Sequence, residues 1–188
     1  MIRLFLLILL LLPGSLAASE VRFEMEGFPR RFQVFAPDEP QGEMPLVLVL
    51  HGVFQTDNRM IETTRGKWGE FAKKHNFVAV FPNAVNRVWD IGQGTGTFEP
   101  SPRRDDIAYL DQVIGLTAQQ YQIDRDRIFM VGFSLGAQMS FAYACQRGGI
   151  RGIATVSMPL PKALLDDCAR TPAMPLLSIH GTNDPVIP

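Results

Sequence analysis

The chain has 188 residues, with 18 basic and 19 acidic side chains, a formal net charge of −1 and 46% hydrophobic residues. A near-neutral balance excludes electrostatic capture of nucleic acid or of an anionic membrane as the main business of the protein. Two cysteines and three histidines, with no His/Cys cluster at metal-ligand spacing, exclude a zinc or iron–sulfur scaffold.

Met1 to Ala18 has one early charge, Arg3, then an apolar run from Leu4 to Leu12, then Pro13-Gly14 and small residues. That is the order of a secretory signal peptide, with a cut after Ala17 or Ala18. The run falls short of the ~20 apolar residues a membrane span needs, so no stable membrane anchor is expected. An exported chain of about 170 residues remains, enough for one domain with a substantial core.

Val21 to Met25 and Arg30 to Phe35 alternate apolar and polar residues around Gly27-Phe28-Pro29, which predicts an antiparallel hairpin at a sheet edge. Pro37 to Pro45 reads as a surface loop. Pro45 to Leu50 is apolar without alternation and suits a strand buried on both faces, as in a parallel sheet covered by helices. After a polar loop, Lys67 to His75 reads as a helix burying Trp68, Phe71 and Ala72, with Lys73, Lys74 and His75 opposing the dipole at its end. Phe77 to Pro82 is a second buried strand.

A long loop follows, Asn83 to Ser101, containing Trp89, Gly92, Gly94 and Gly96; loops of this length in compact domains tend to be functional or mobile. Ser101-Pro102 resembles an N-cap with proline at the first helical position. Ile107, Leu110, Val113, Ile114, Ala118 and Tyr121 then recur at helical steps. Arg127 to Phe133 predicts a third buried strand, Leu135 to Arg147 a helix stopped by Gly148-Gly149, Gly152 to Ser157 a fourth strand and Pro175 to His180 a fifth. Strands alternating with helices give a parallel sheet with right-handed crossovers, whose ligands bind at the strand carboxyl ends.

Three features fall at those ends: His51-Gly52, Ser134, and the loop His180 to Asp184. Ser134 lies in Gly132-Phe133-Ser134-Leu135-Gly136, a Gly-x-Ser-x-Gly segment between an apolar strand and a helix. This nucleophile-elbow pattern holds the serine on a strained turn, and Gly132 and Gly136 let neighbouring backbones approach. A serine nucleophile needs a base to take its proton, an acid to orient that base and N–H donors for the oxyanion. The donors would be the backbone N–H groups of Leu135 and Val53. Cys145 and Cys168 could pair in an oxidising compartment, the alternative being two buried thiols.

At these residues the chain resembles the α/β-hydrolases, specifically the secreted polyhydroxybutyrate depolymerase and feruloyl esterase-like group. The likeness rests on His51-Gly52 with Gln55-Thr56, Trp68 to Pro82, Trp89-Asp90, Asp105-Asp106-Ile107, Ile123 to Ile128, Gly132 to Gly136, Cys145, Cys168 and His180 to Pro185. A second likeness, to the phospholipase/carboxylesterase group, ranks lower because of the leader and the Trp89 loop.

The resemblance implies an α/β-hydrolase fold with a mostly parallel sheet, an N-terminal antiparallel hairpin and flanking helices. It also implies Ser134 as nucleophile, Asp184 as the acid of a triad, no metal or organic cofactor, and a polyester or plant polysaccharide ester as substrate. The family order is Ser, Asp, His, and no histidine follows Asp184. The expectation is therefore an incomplete hydrolase domain over residues 18–188, with a non-catalytic hydrolase-fold binding protein as the competing reading.

Overall fold

The structure is a computed structural model that describes residues 18–92 and 100–187; the leader segment over residues 1–17 and the loop glycines Gly94 and Gly96 lie outside the described residues. Among the described residues seven strands form one sheet: β1 (Ser19–Met25), β2 (Phe28–Phe35), β3 (Met44–Leu50), β4 (Val78–Pro82), β5 (Ile123–Phe133), β6 (Gly152–Val156) and β7 (Leu176–Ile179), in spatial order 1-2-4-3-5-6-7. β1 and β2 make the antiparallel hairpin and β2 runs antiparallel to β4. From β4 through β3, β5 and β6 to β7 every pairing is parallel.

The helices are α1 (Asp57–Thr63), α2 (Lys67–His75), α3 (Asp106–Gln120), α4 (Leu135–Gln146) and α5 (Leu165–Ala169). Strand alternation sorts the core into two layers. Leu46, Leu48, Leu50, Val80 and Met130 face Tyr109, Leu110 and Val113 of α3 and Met139 and Ala142 of α4. Val49, Ala79 and Phe81 face Met60 and Ile61 of α1 and Trp68 of α2. Cys145 at the end of α4 is joined by a disulfide to Cys168 of α5.

Three readings of the sequence need correction. The polar stretch after β3 contains α1, a two-turn helix whose N-cap Thr56 accepts from Arg59 N at 3.2 Å; it is too short to show periodicity. Phe71 faces solvent, and α2 buries Gly69 and Ala72 instead, because the Phe35 ring leaves no room for a Cβ at residue 69. Ser101-Pro102 is a cis peptide in the loop rather than a helix start; the N-cap is Asp105, which accepts from Ala108 N at 2.8 Å. The fifth predicted strand is β7, with Leu176, Leu177 and Ile179 each more than half exposed. It borders an apolar hollow of about 380 Å³, lined by residues that include Trp68, Phe129, Val131, Ile153, Leu176 and Leu177.

Candidate active site

Ser134 sits between β5 and α4 with φ 51° and ψ −120°, a conformation that L-residues avoid and that costs on the order of 1–3 kcal/mol. Local packing forces it. A Cβ on Gly132 would collide with Gly136 O and the Ala137 backbone, and one on Gly136 would collide with the carbonyl oxygens of Leu50 and His51. The start of α4 is therefore pressed against the end of β3, and the turn between must be abrupt. Ser134 N donates to Val156 O of β6 at 2.8 Å, while Ser134 O accepts from Ala137 and Gln138, the first bonds of α4. Leu135 follows at the N-terminus of a twelve-residue helix, where the macrodipole favours negative charge.

The second element is the loop after β3. His51 is fully buried, and burial pushes its imidazole down to about 4, against a smaller opposing pull from its bond to Gly52 and from Asp57. It is neutral at pH 7 and fixed as a tautomer: Nδ1 donates to Gly52 O at 2.8 Å and Nε2 accepts from Ala84 N at 3.1 Å. Because a peptide unit is planar, holding Gly52 O also aims the N–H of Val53, which shares that plane. Gly52 O accepts from Gln55 N as well, and Gly52 N donates to Gln55 Oε1 at 3.1 Å. Phe54 is held at φ 60° with its N–H on Arg87 O at 2.8 Å.

Asp184 lies in the loop after β7, two strand spacings from β5, or about 10 Å between strand axes. Its carboxylate accepts from Val186 N at 2.9 Å and Ile187 N at 3.0 Å, and those bonds, that to Ile187 first, hold its carboxyl below the usual range. His180 Nε2 contacts Ile187 O at 2.7 Å, and His75 is exposed at the end of α2. Ser134, Leu135 and the 51–55 loop thus gather at one end of the sheet. Neither ring nitrogen of His51 is free to take a proton from serine.

Sequence reading missed a buried ion cluster beneath this loop. Asp106 Oδ1 accepts from Arg30 NH1 at 2.7 Å and its Oδ2 from Asp90 N at 2.8 Å. Asp90 Oδ2 accepts from Arg104 N at 2.9 Å, and its Oδ1 pairs with Arg103 NH2 at 2.8 Å. Burial raises the Asp106 carboxyl, opposed by Arg30 and Arg104. The Arg30 guanidinium lies 4.5 Å from the Tyr109 ring centroid, as a cation–π pair. One signal was present: β2 alternation puts Arg30 on the same face as Phe32 and Val34, so its charge had to be buried and paired.

Among the described residues there is no group of three or more His, Cys, Asp or Glu able to hold a metal ion. No described helix is long and apolar enough to cross a membrane.

The sequence profile of the phospholipase/carboxylesterase family matches residues 30–188. The chain is 30% identical over 164 residues to the bifunctional acetylxylan esterase/xylanase XynS20E of Neocallimastix patriciarum, covering 86% of this chain and 22% of that protein. It is 30% identical over 120 residues to a poly(3-hydroxybutyrate) depolymerase of Ralstonia pickettii, covering 58% and 24%, and 30% identical over 113 residues to feruloyl esterase C of Emericella nidulans, covering 59% and 37%. The chain thus spans well under half the length of each. Among solved structures it superposes on a thermostable esterase with TM-score 0.69 at 18% identity, covering 91% of this chain and 48% of that one, which establishes the α/β-hydrolase fold. The likeness ranked second on sequence is the one the family profile carries, while these curated relatives carry the first.

Proposed function

The chain belongs to the phospholipase/carboxylesterase family of α/β-hydrolases, and on that premise we propose that it is an exported serine carboxylic-ester hydrolase. In this reading Ser134 Oγ attacks the ester carbonyl carbon, the N–H groups of Leu135 and Val53 receive the oxyanion, and the alcohol departs. Water then resolves the acyl-enzyme. Each donor would contribute on the order of 3 kcal/mol of transition-state stabilisation. The observation that carries the reading is the strained Ser134 turn, locked between two glycines against the loop that holds Val53. Asp184 would be the acid that orients the base. Polyhydroxyalkanoate, feruloyl and acetyl esters are the substrate classes, in keeping with the relatives' names. Export rests on the leader pattern in the sequence.

His51 is committed to the loop, and His180 to Ile187 O. On this reading neither His51 nor His180 serves as the base, and the 188-residue chain should turn esters over feebly. A fluorophosphonate probe tests the nucleophile without requiring turnover. Slow labelling of the 188-residue chain, absent in Ser134→Ala, supports the reading; equal labelling of both, or of neither, removes it. The occupied histidines also favour a second reading, a hydrolase-fold protein that binds an ester polymer without cleaving it. Retention of the polymer by Ser134→Ala and wild type alike, with no labelling of either, would establish that alternative.

A further inference from the structure

The buried ion cluster has no part in the chemistry just described, yet it leads straight to the candidate oxyanion loop. Trp89, fully buried, donates from Nε1 to His51 O at 2.8 Å, and its ring lies 4.9 Å from the His51 ring. That carbonyl belongs to the His51–Gly52 peptide, the unit immediately before the one that carries the Val53 N–H. Trp89 is in turn held by its neighbours. The N–H of Asp90 is bound by Asp106 Oδ2, and Arg104 NH2 donates to Val85 O at 2.8 Å and also to Val88 O, on the approach to Trp89. Asp106 is anchored to the hairpin by Arg30 and opens α3. From these contacts we propose that Trp89 and Asp106 are positioning residues for the 51–55 loop, Asp106 fixing the indole and the indole fixing the peptide that precedes the candidate oxyanion donor.

A cluster of ions this deep adds little net stability over apolar packing of equal volume. What it supplies is direction. Each Asp106 oxygen has one short bond to a different element, Oδ1 to β2 and Oδ2 to the 83–92 segment, so the segment has one seat. The indole N–H then meets a carbonyl already turned away from Gln55, whose Oε1 holds the N–H at the other end of the same peptide. The peptide is thereby pinned at both ends, and the next is pinned by His51 Nδ1. Preorganised donors of this kind act because they need not rearrange as charge develops.

The proposal rests on the esterase reading for its chemical consequence but not for its structural one, and the test separates the two. Trp89→Phe removes the indole N–H and keeps most of the bulk; Asp106→Asn keeps the shape and removes the charge. Ile150→Ala, a core truncation at the amino end of the sheet, controls for general loss of stability. Amide hydrogen exchange is followed over residues 51–55, β5 and α4. The expected result is exchange roughly fivefold faster over 51–55 in Trp89→Phe and Asp106→Asn, with β5 and α4 unchanged relative to the control.

Fluorophosphonate labelling of Ser134 should slow on the order of tenfold in both, with the concentration for half-maximal rate unchanged, because reactivity rather than binding depends on the donor. Exchange over 51–55 that is unchanged, or that rises together with β5 and α4 as in Ile150→Ala, overturns the proposal. If the wild-type chain does not label at Ser134, the esterase reading falls and the exchange result still decides whether Trp89 and Asp106 position the loop.

Discussion

Acid should weaken this protein through one buried side chain. His51 is neutral in the fold with its pKa near 4 and would titrate at 6.5 in the unfolded chain. Between those values the unfolded state binds more protons, so stability rises with pH across the window. The contribution is fully present above pH 6.5 and lost as pH falls from 6.5 through 4. The whole step is 2.303RT times the shift, about 3 kcal/mol, of which about 2.5 is gone by pH 4.5. That is a large share of the 5–15 kcal/mol typical of a domain.

Urea unfolding at pH 7 and pH 4.5 measures it, with His51→Gln as reference because a glutamine oxygen can still accept from Ala84 N. The wild type should lose about 2.5 kcal/mol more than His51→Gln on acidification. Carboxylates, including the raised Asp106, are common to both and cancel. Equal losses would refute the reasoning, as would a His51 ring signal titrating near 6.5 in the folded protein.

Gly136→Ala must force a Cβ into the backbone carbonyls of Leu50 and His51, which are not flexible side chains that can yield. It should cost at least 3 kcal/mol by thermal or urea unfolding, the upper end of overpacking penalties; a cost below 1 would contradict the packing described. Replacing Cys145 and Cys168 by alanine opens a loop of 23 residues' separation and should cost about 3 kcal/mol, read as a shift in the unfolding midpoint relative to the oxidised chain. Leu177, more than half exposed on the outermost parallel strand, should promote self-association. Leu177→Lys is expected to lower the sedimenting mass at micromolar concentration, and no change would mean the edge is protected in some other way.

The architecture was legible where burial is two-sided. β3 and β4 are continuous apolar runs because both faces are covered, and their sequences say so directly. The β1–β2 hairpin was visible because its two faces differ, and α4 because a largely apolar run is stopped by Gly148-Gly149. What escaped was set by long-range partners. α1 has seven residues and takes its place from Thr56 capping and from Arg31 and Asn83 holding Asp57. The start of α3 was misplaced because a proline that looks like a first-turn residue sits in a loop whose course is dictated by Arg104 and Asp90. At the candidate site, Ser134 announced itself through its flanking glycines, a pattern readable within five residues even though Gly136 packs on the distant carbonyls of Leu50 and His51. Trp89 was visible only as part of the family likeness, and its contact was not, because that contact is with a carbonyl 38 residues earlier.

The contact of Gly136 with the carbonyls of Leu50 and His51 also bears on how such a protein can change. It makes the serine turn and the His51–Val53 loop a single joint with no slack. Neither side can be widened without moving the other, so substitution there alters whether the site forms rather than what it accepts. On the proposed esterase reading, room for a different acyl or alcohol group would have to come from residues outside this joint. Randomised libraries built on that reading would waste members at residues 132–136, where a new side chain prevents the turn from forming.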